Sequence, residues 1–383
     1  MFNVKHLLKK KFDSNCAVFY GICTKPSINF YFGGGNTSTA RIYFSKNDDG
    51  TYTYYGLTDN NRVQMWDRFV WYDGTQKNAL TLSIAQPIEI YTLRDNHFGS
   101  PTITNYDFKT VKITPKSMCE CFYTADSVET LDLSNWNMSL CTDYYAMLAS
   151  SGPGAGGSGG TKLKTVKMPD DCGSAFTRTN KMFGWHHNLE TITGMKTMDF
   201  SNVTTVEEMF CECFSLKNVD FKVDNWVTNK CTSIYGMFVK CRNLDFSAIG
   251  DFTTWDTSNV TRCGACFGNC HFVDLDISGW DLSKCDSYEN LFSDEGDVCA
   301  HRTINMSNVK LNTVEPATST TMFHNCFKLD SVTMKGCEEA TINFVKDRLL
   351  EAIPDRIASG NFKLILDDGN YKYNSSTSSW ESF

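Results

Sequence analysis

Positive charge is in deficit in this chain. Its 383 residues carry 36 Lys and Arg against 44 Asp and Glu, a formal net charge of −8, which argues against a broad cationic surface for nucleic acid or anionic lipid. Long apolar runs are missing too: no stretch approaches the roughly 18 apolar residues of a membrane-crossing helix, so no membrane insertion is expected. The basic run Lys5-His6-Leu7-Leu8-Lys9-Lys10-Lys11 leads, after Phe12, into Asp13, Ser14 and Asn15 rather than an apolar segment, so no export signal is expected. Histidine is scarce, and none of the 7 lies in a recognisable catalytic motif.

What the chain has is repetition. Eight Met-Phe-like pairs occur, Cys121-Phe122, Met147-Leu148, Met182-Phe183, Met209-Phe210, Met237-Phe238, Cys266-Phe267, Leu291-Phe292 and Met322-Phe323, separated by 26, 35, 27, 28, 29, 25 and 31 residues. Eleven residues before the pair stand Trp136, Trp226, Trp255 and Trp280; six before it, Pro115, Cys141, Val203, Cys231, Val260, Cys285 and Pro316. Four residues after it come Cys213, Cys241, Cys270 and Cys326, with His186 in a fifth unit. Seven, ten and twelve residues after it, Leu216, Val219 and Phe221, or Leu329, Val332 and Met334, spell an L-x-x-L-x-L strand.

One short strand and one return turn cannot bury an apolar face alone, so stacking of neighbours must close the core. Alternation places Leu131 and Leu133 inward and Asp132 and Ser134 outward. The Met-Phe pair follows a polar turn such as Cys231-Thr232-Ser233 and is expected to plug the core from the opposite side. Of the 17 cysteines, residues 121, 141, 213, 231, 241, 266, 270, 285 and 326 occupy repeat positions, where they act as small hydrophobes. The odd total and free thiols fit synthesis in a reducing compartment.

Three regions follow. Residues 1–110 lack the repeat and carry the alternating segments Ile28–Phe32, Arg41–Phe44 and Thr51–Tyr55, with Asp48-Asp49-Gly50 as a hairpin turn, which predicts an antiparallel β domain. Residues 111–338 hold the repeats, interrupted by a glycine-rich insertion over 150–160 that is expected to be a surface loop. Residues 339–383 read as a helix over Ile342–Ile353 ended by Pro354, then a strand over Phe362–Leu366 and the turn Asp367–Asn370, a cap for the last repeat.

The strings Leu131–Trp136, Trp255–Thr261 and Met237–Leu244 resemble the BspA-like leucine-rich repeat family, also known from mycoplasma lipoprotein-associated repeats, whose pattern is close to LDLSxWDTSNVTxMxxMFxxCxxL. The resemblance implies a leucine-rich-repeat solenoid with a parallel sheet over residues 111–338. It also implies surface-displayed binding or adhesion, as in members from bacteria, protists and some bacterial viruses, with no shared catalytic residues to carry over. The full expectation is a mainly β chain with short helices: an amino-terminal antiparallel β domain, the solenoid, and a carboxy-terminal α/β cap.

Residue types with chemical potential each have a plainer reading. Cys263, Cys266, Cys270 and His271 suggest zinc or thiol chemistry, but Cys266 and Cys270 stand at repeat positions, which favours packing. Asp274–Gly279 opens like a calcium loop, yet Cys285 stands where the bidentate Glu is needed. Gly33-Gly34-Gly35 lacks the Gly-Lys-Ser/Thr of a phosphate loop. His186-His187 reads as a half-buried repeat position and Glu207-Glu208 as a solvated turn. The tryptophans at minus eleven fit either a core or a recognition face, with their fixed register favouring core; Trp66, Trp71, Tyr52, Tyr54 and Tyr55 fit either their own core or a docking surface.

The sequence thus predicts a protein that is not an enzyme and needs no cofactor or metal. Its expected role is attachment on a phage particle, in the capsid or tail surface, made in the host cytoplasm. Expected partners are other virion proteins, host or cell-surface proteins, or glycans, and a homo-oligomer would raise weak contacts by avidity. The alternative is a bacterial cell-surface adhesin. A carbohydrate-active enzyme is the third reading, for which residues 1–110 nominate no carboxylate pair.

Overall fold

The structure is a computed structural model that describes residues 115, 117–123, 125–150, 161–294, 300–314 and 319–383, with the backbone of six strands nearer the amino terminus. Those strands are β1 (Ile42–Lys46), β2 (Tyr52–Leu57), β3 (Arg68–Val70), β4 (Gln76–Asn78), β5 (Thr81–Ile84) and β6 (Asn105–Asp107). β1 and β2 pair antiparallel from Ile42↔Leu57 to Lys46↔Tyr52, with an irregularity between Tyr43 and Phe44. β2–β5 and β5–β6 are parallel. The sheet is therefore mixed, which corrects the expectation of an antiparallel domain. Alternating residues mark a strand but not its partner's direction, and residues 58–80 and 85–104 are long enough for the crossovers that parallel pairing requires. Ile28–Phe32, the turn Asp48–Gly50, Trp66, Trp71 and the glycine run over 151–160 lie outside the described residues.

The chain divides into two compact parts, residues 1–176 with 185–198, and residues 177–184 with 199–383. In the first, β7 (Thr130–Asp132), β8 (Thr165–Lys167) and β9 (Thr191–Thr193) pair in parallel with Leu131, Val166 and Ile192 in line. All three are buried, as is Leu133, while Ser134 is exposed. Near-neighbour strands in parallel require a return path on another side, and the Cys121-Phe122 and Met147-Leu148 pairs supply its buried residues.

The second part contains β10 (Asn218–Val219), β11 (Asp274–Asp276), β12 (Asp281–Leu282), β13 (Thr303–Asn305), β14 (Lys310–Leu311) and β15 (Ser331–Thr333). After these come helices α1 (Glu339–Ala352) and α2 (Pro354–Ala358), then β16 (Lys363–Leu366), β17 (Gly369–Asn374) and β18 (Ser379–Ser382). One sheet runs β11-β13-β15-β16-β17-β18, parallel as far as β16 with Leu275, Ile304, Val332 and Leu364 aligned, then antiparallel through β17 and β18. The helix begins earlier than Ile342, and Pro354 opens α2, where its missing N–H costs nothing. Thr341, Val345 and Leu349 form the buried stripe of α1 at the spacing one helical face requires.

Opposite the strands, turns stack without forming a sheet. The N–H of Phe183 donates to the Met209 carbonyl at 2.9 Å, Phe210 to Met237 at 2.9 Å, Phe238 to Cys266 at 3.0 Å, Phe267 to Leu291 at 3.1 Å and Phe292 to Met322 at 3.0 Å. This register places the rings in a column: Phe183–Phe210 and Phe210–Phe238 centroids are 5.6 Å apart and tilted by 5°, and the column continues through Phe267, Phe292 and Phe323. Each buried ring contributes roughly 2–3 kcal/mol. A left-handed residue precedes most pairs, including Glu208 (φ 54°), Ala265 (54°) and Asn290 (52°), and another follows at Glu212 (57°), Lys240 (63°), Asn269 (56°) and Asn325 (63°). These reversals bracket each pair.

Two side chains tie one repeat unit to the one before. Trp255 Nε1 donates to the Val223 carbonyl at 2.7 Å and Trp280 Nε1 to that of Phe252 at 2.8 Å, so these buried indoles are both core and fastener. The thiols of Cys213, Cys241, Cys270 and Cys326 donate to the carbonyls of Phe183, Phe210, Phe238 and Phe292 at 3.1, 3.2, 2.9 and 3.0 Å. The coil that begins at Met237 breaks the strand pattern. Leu244 is buried, but Ser247 stands in the slot where Val332 serves its own coil. Instead of a strand, Asp245 Oδ1 accepts from the Ser247 and Ala248 N–H at 3.0 and 3.2 Å and folds the chain into a turn.

Candidate functional site

With the apolar side chains turned inward, the strands present a polar row. In the first part it comprises Thr130, Asp132, Thr165, Lys167, Thr191 and Thr193, with Lys167 Nζ 3.1 Å from Asp132 Oδ2. In the second, Thr303 Oγ1 donates to Asp274 Oδ1 at 2.5 Å and Asn305 Nδ2 to Asp276 Oδ2 at 2.9 Å, with Ser331 and Thr333 in line. The following turns are uniform: Asp132, Asp256, Asp276, Asp281 and Asn305 each accept the N–H two residues on, from Ser134, Ser258, Ser278, Ser283 and Ser307. Burial opposes ionisation of Asp132 and Asp281. Hydrogen bonds from Ser134 and Lys167, and from Ser283 and Lys310, outweigh it and hold both carboxyls below their ordinary value.

The turn at Asp245–Ala248 leaves β11 as the outermost strand of its sheet. A groove of about 330 Å³ opens there, with Phe246, Gly250, Asp251 and Phe252 on one wall, Asp274, Leu275 and Asp276 on the other, and Thr303 and Asn305 beyond. Three carboxylates and no Lys or Arg line it. Asp245, close in sequence to one wall, is held below the usual carboxylate range by the Ser247 hydroxyl and by the Ser247 and Ala248 N–H groups. The groove is thus lined by carboxylates with an aromatic wall.

A second polar row runs along the turns. Arg262 Nη1 lies 2.9 Å from Glu207 Oε2 and its guanidinium 5.0 Å from the Tyr235 ring centre, while Lys240 pairs with Glu212 at 2.7 Å and Lys181 with Glu208 at 3.2 Å. Such half-exposed pairs contribute little to stability, about 0–1 kcal/mol each.

The residues singled out from the sequence fall mostly inside. Trp136, Met147, Met182, Met209, Cys213, Trp226, Met237, Cys241, Trp255, Cys266, Cys270, Trp280, Met322 and Cys326 are all buried. Burial raises the thiols of Cys241, Cys263, Cys266 and Cys270, and pushes Cys141 up to about 12, which removes the thiolate that redox or nucleophilic chemistry needs. Among the described residues no group of three or more His, Cys, Asp and Glu is placed to hold a metal ion. Asp274–Asp276 is a strand. His186 is fully enclosed, its Nε2 bonded to the Leu148 carbonyl, and burial brings its pKa down to about 4. Glu207 and Glu208 pair with Arg262 and Lys181.

Sequence reading missed one constellation. His301 Nδ1 lies 3.7 Å from the Cys326 thiol and its Nε2 3.7 Å from Asp294 Oδ2, while Nε2 also meets the Cys270 carbonyl at 2.7 Å. The order resembles a thiol–imidazole–carboxylate set, but His301 and Cys326 are 0% and Asp294 1% exposed, and the thiol is engaged with the Phe292 carbonyl. All three side chains of this set are enclosed in the core. No local motif announces it, because coil stacking alone brings these positions together.

A family model described as "Mycoplasma protein of unknown function, DUF285" matches residues 89–153, 174–305 and 248–335. No curated protein matches the sequence. Among solved structures the chain has a weak similarity to a leucine-rich cell surface protein from Faecalibacterium prausnitzii A2-165, at 12% identity and a TM-score of 0.19, over 80% of this chain and 86% of that one. No helix among the described residues is long and apolar enough to cross a membrane.

Proposed function

The chain belongs to the family described as mycoplasma proteins of unknown function, DUF285, and we propose that it is a non-catalytic binding module whose residues 111–338 form a BspA-like leucine-rich-repeat solenoid. On this reading residues 1–110 are a separate β-rich domain, residues 339–383 cap the stack, and the buried Met, Trp, Cys and Phe positions are the repeat's core. One observation carries the proposal: the reactive side chains are enclosed, whereas Thr, Asp, Asn and Lys recur outward on the strands, held by hydrogen bonds such as Asn305 to Asp276. A polar face fixed before contact loses little side-chain freedom on binding, which is the property a recognition surface needs.

We carry forward the broader role, a module that binds a protein or a surface, in place of the phage attachment expected from the sequence. Display on a bacterial cell is the setting we carry forward. The test is binding of the purified chain to intact bacterial cells, compared with a Thr303→Arg/Asn305→Arg variant that alters the outward face without touching the core. The variant is expected to bind at least about tenfold more weakly, a change of about 1.4 kcal/mol, with an unchanged thermal transition. Equal binding by both proteins would remove the strand face from the account. Turnover of a polysaccharide by the native chain would remove the non-catalytic reading.

A further inference from the structure

The groove beside β11 has the form of a missing strand. In the β11–β13 pairing, the Thr303 N–H donates to the Val273 carbonyl at 3.1 Å and the Ile277 N–H to the Asn305 carbonyl at 2.9 Å. Residues 273, 275 and 277 therefore serve β13, and strand alternation turns the main-chain N–H and C=O of Asp274 and Asp276 the other way. β11 is the sheet's edge, and among the described residues no protein group bonds those four main-chain atoms. Sheet edges are commonly blunted by lysine, proline or a bulge. The strand Asp274-Leu275-Asp276 is short and carries two carboxylates, which would deter an acidic or like-charged strand, but it contains no lysine or proline and its register with β13 is regular.

We infer that this edge accepts an extended, lysine- or arginine-bearing segment of a partner protein as an added strand, its main chain bonded to Asp274 and Asp276 and its basic side chains set against Asp251, Asp274 and Asp276. The inference rests on the binding-module reading and specifies its partner. Main-chain pairing supplies the general affinity of strand addition, and the carboxylates choose the side chains. Charge argues for this occupant over the others. The lining has no cation of its own, an acidic segment would meet like charge, and a second copy pairing through the same edge would set Asp274 and Asp276 against themselves. The carboxylates are not gathered for a divalent ion, since no such group occurs among the described residues.

The experiment is fluorescence anisotropy with the full chain and a short capped peptide alternating lysine with threonine and valine. Two companions are needed, one with glutamate for each lysine and one N-methylated at alternate residues to delete the donors of one edge. The lysine peptide is expected to bind, the glutamate peptide and one N-methylation register to lose at least about tenfold, and affinity to fall with added salt. Asp274→Pro, which removes a groove-side N–H and a carboxylate and is tolerated at an edge, should cost at least as much as N-methylation, while Asp274→Asn should cost less. Should Asp274→Pro fail to fold, the N-methylated peptides still decide, because they leave the protein untouched. Equal binding of both N-methylated registers and the parent, equal binding of the glutamate peptide, displacement by calcium alone, or self-association through this edge would each overturn the inference. So would absence of peptide binding alongside retained cell binding, a result that leaves the broader reading standing.

Discussion

Four residues past five of the anchor pairs, one hydrogen bond recurs with different chemistry. Cysteine supplies the donor at residues 213, 241, 270 and 326, and at 186 a histidine reaches the corresponding carbonyl, that of Leu148. Where cysteine stands here, it fills a small apolar slot and supplies one donor, so it packs without bridging. Cys241→Ala removes both the sulfur's packing and its bond to Phe210. Urea unfolding should show a loss of about 1–3 kcal/mol, and Cys241→Ser, which keeps the donor but buries a more polar group, should not recover all of it. The histidine adds pH dependence. His186 lies at about 4 in the fold against an ordinary 6.5, so the unfolded chain takes up the proton first. Its contribution is whole above pH 6.5 and is lost as pH falls from there towards 4, by about 3 kcal/mol in all. His301, also lowered by burial despite Asp294, acts in the same direction. Thermal melts of His186→Cys should therefore decline less steeply than the native chain's between pH 6.5 and 4; parallel declines would contradict this assignment.

At the scale of elements, the regular coils are those whose residues fill every slot of the pattern. Leu131 and Leu133, or Leu329, Val332 and Met334, were legible as strands because inward positions are apolar and outward ones polar. The pattern is looser at Val219, which is only half-buried at the end of a short strand. It fails at Ser247, where a hydroxyl in an apolar slot lets the Asp245 turn replace a strand. The candidate groove was therefore not legible. It arises from a strand that does not form in one coil and an edge exposed in the next, and its carboxylates read as ordinary repeat residues. Nor did alternation near the amino terminus reveal that β2, β5 and β6 run parallel. The left-handed residues were equally hidden, because Glu208, Lys240 and Ala265 have side chains that avoid this region in isolation. The inter-coil hydrogen bonds over-determine the conformation. Ala265→Gly should relieve the strain and raise stability by about 1 kcal/mol, read as a higher urea midpoint with unchanged slope. A lower midpoint would show that Ala265 is not left-handed in solution.

In the molecule as a whole, an enclosed interior stands apart from an organised exterior. Phenylalanine rings, thiols and indoles register one repeat against the next, and a polar row and the open edge of β11 face outward. The central claim is that the turns around the Phe residues are fixed by inter-coil hydrogen bonds as firmly as strands, while β11 keeps a free edge. Residue-resolved amide hydrogen exchange tests this most directly. Strong protection is expected at the N–H groups of Phe210, Phe238, Phe267, Leu275 and Ile277, with rapid exchange at Asp274 and Asp276. Rapid exchange at the Phe amides, or protection of Asp274 and Asp276 in the chain alone, would contradict it.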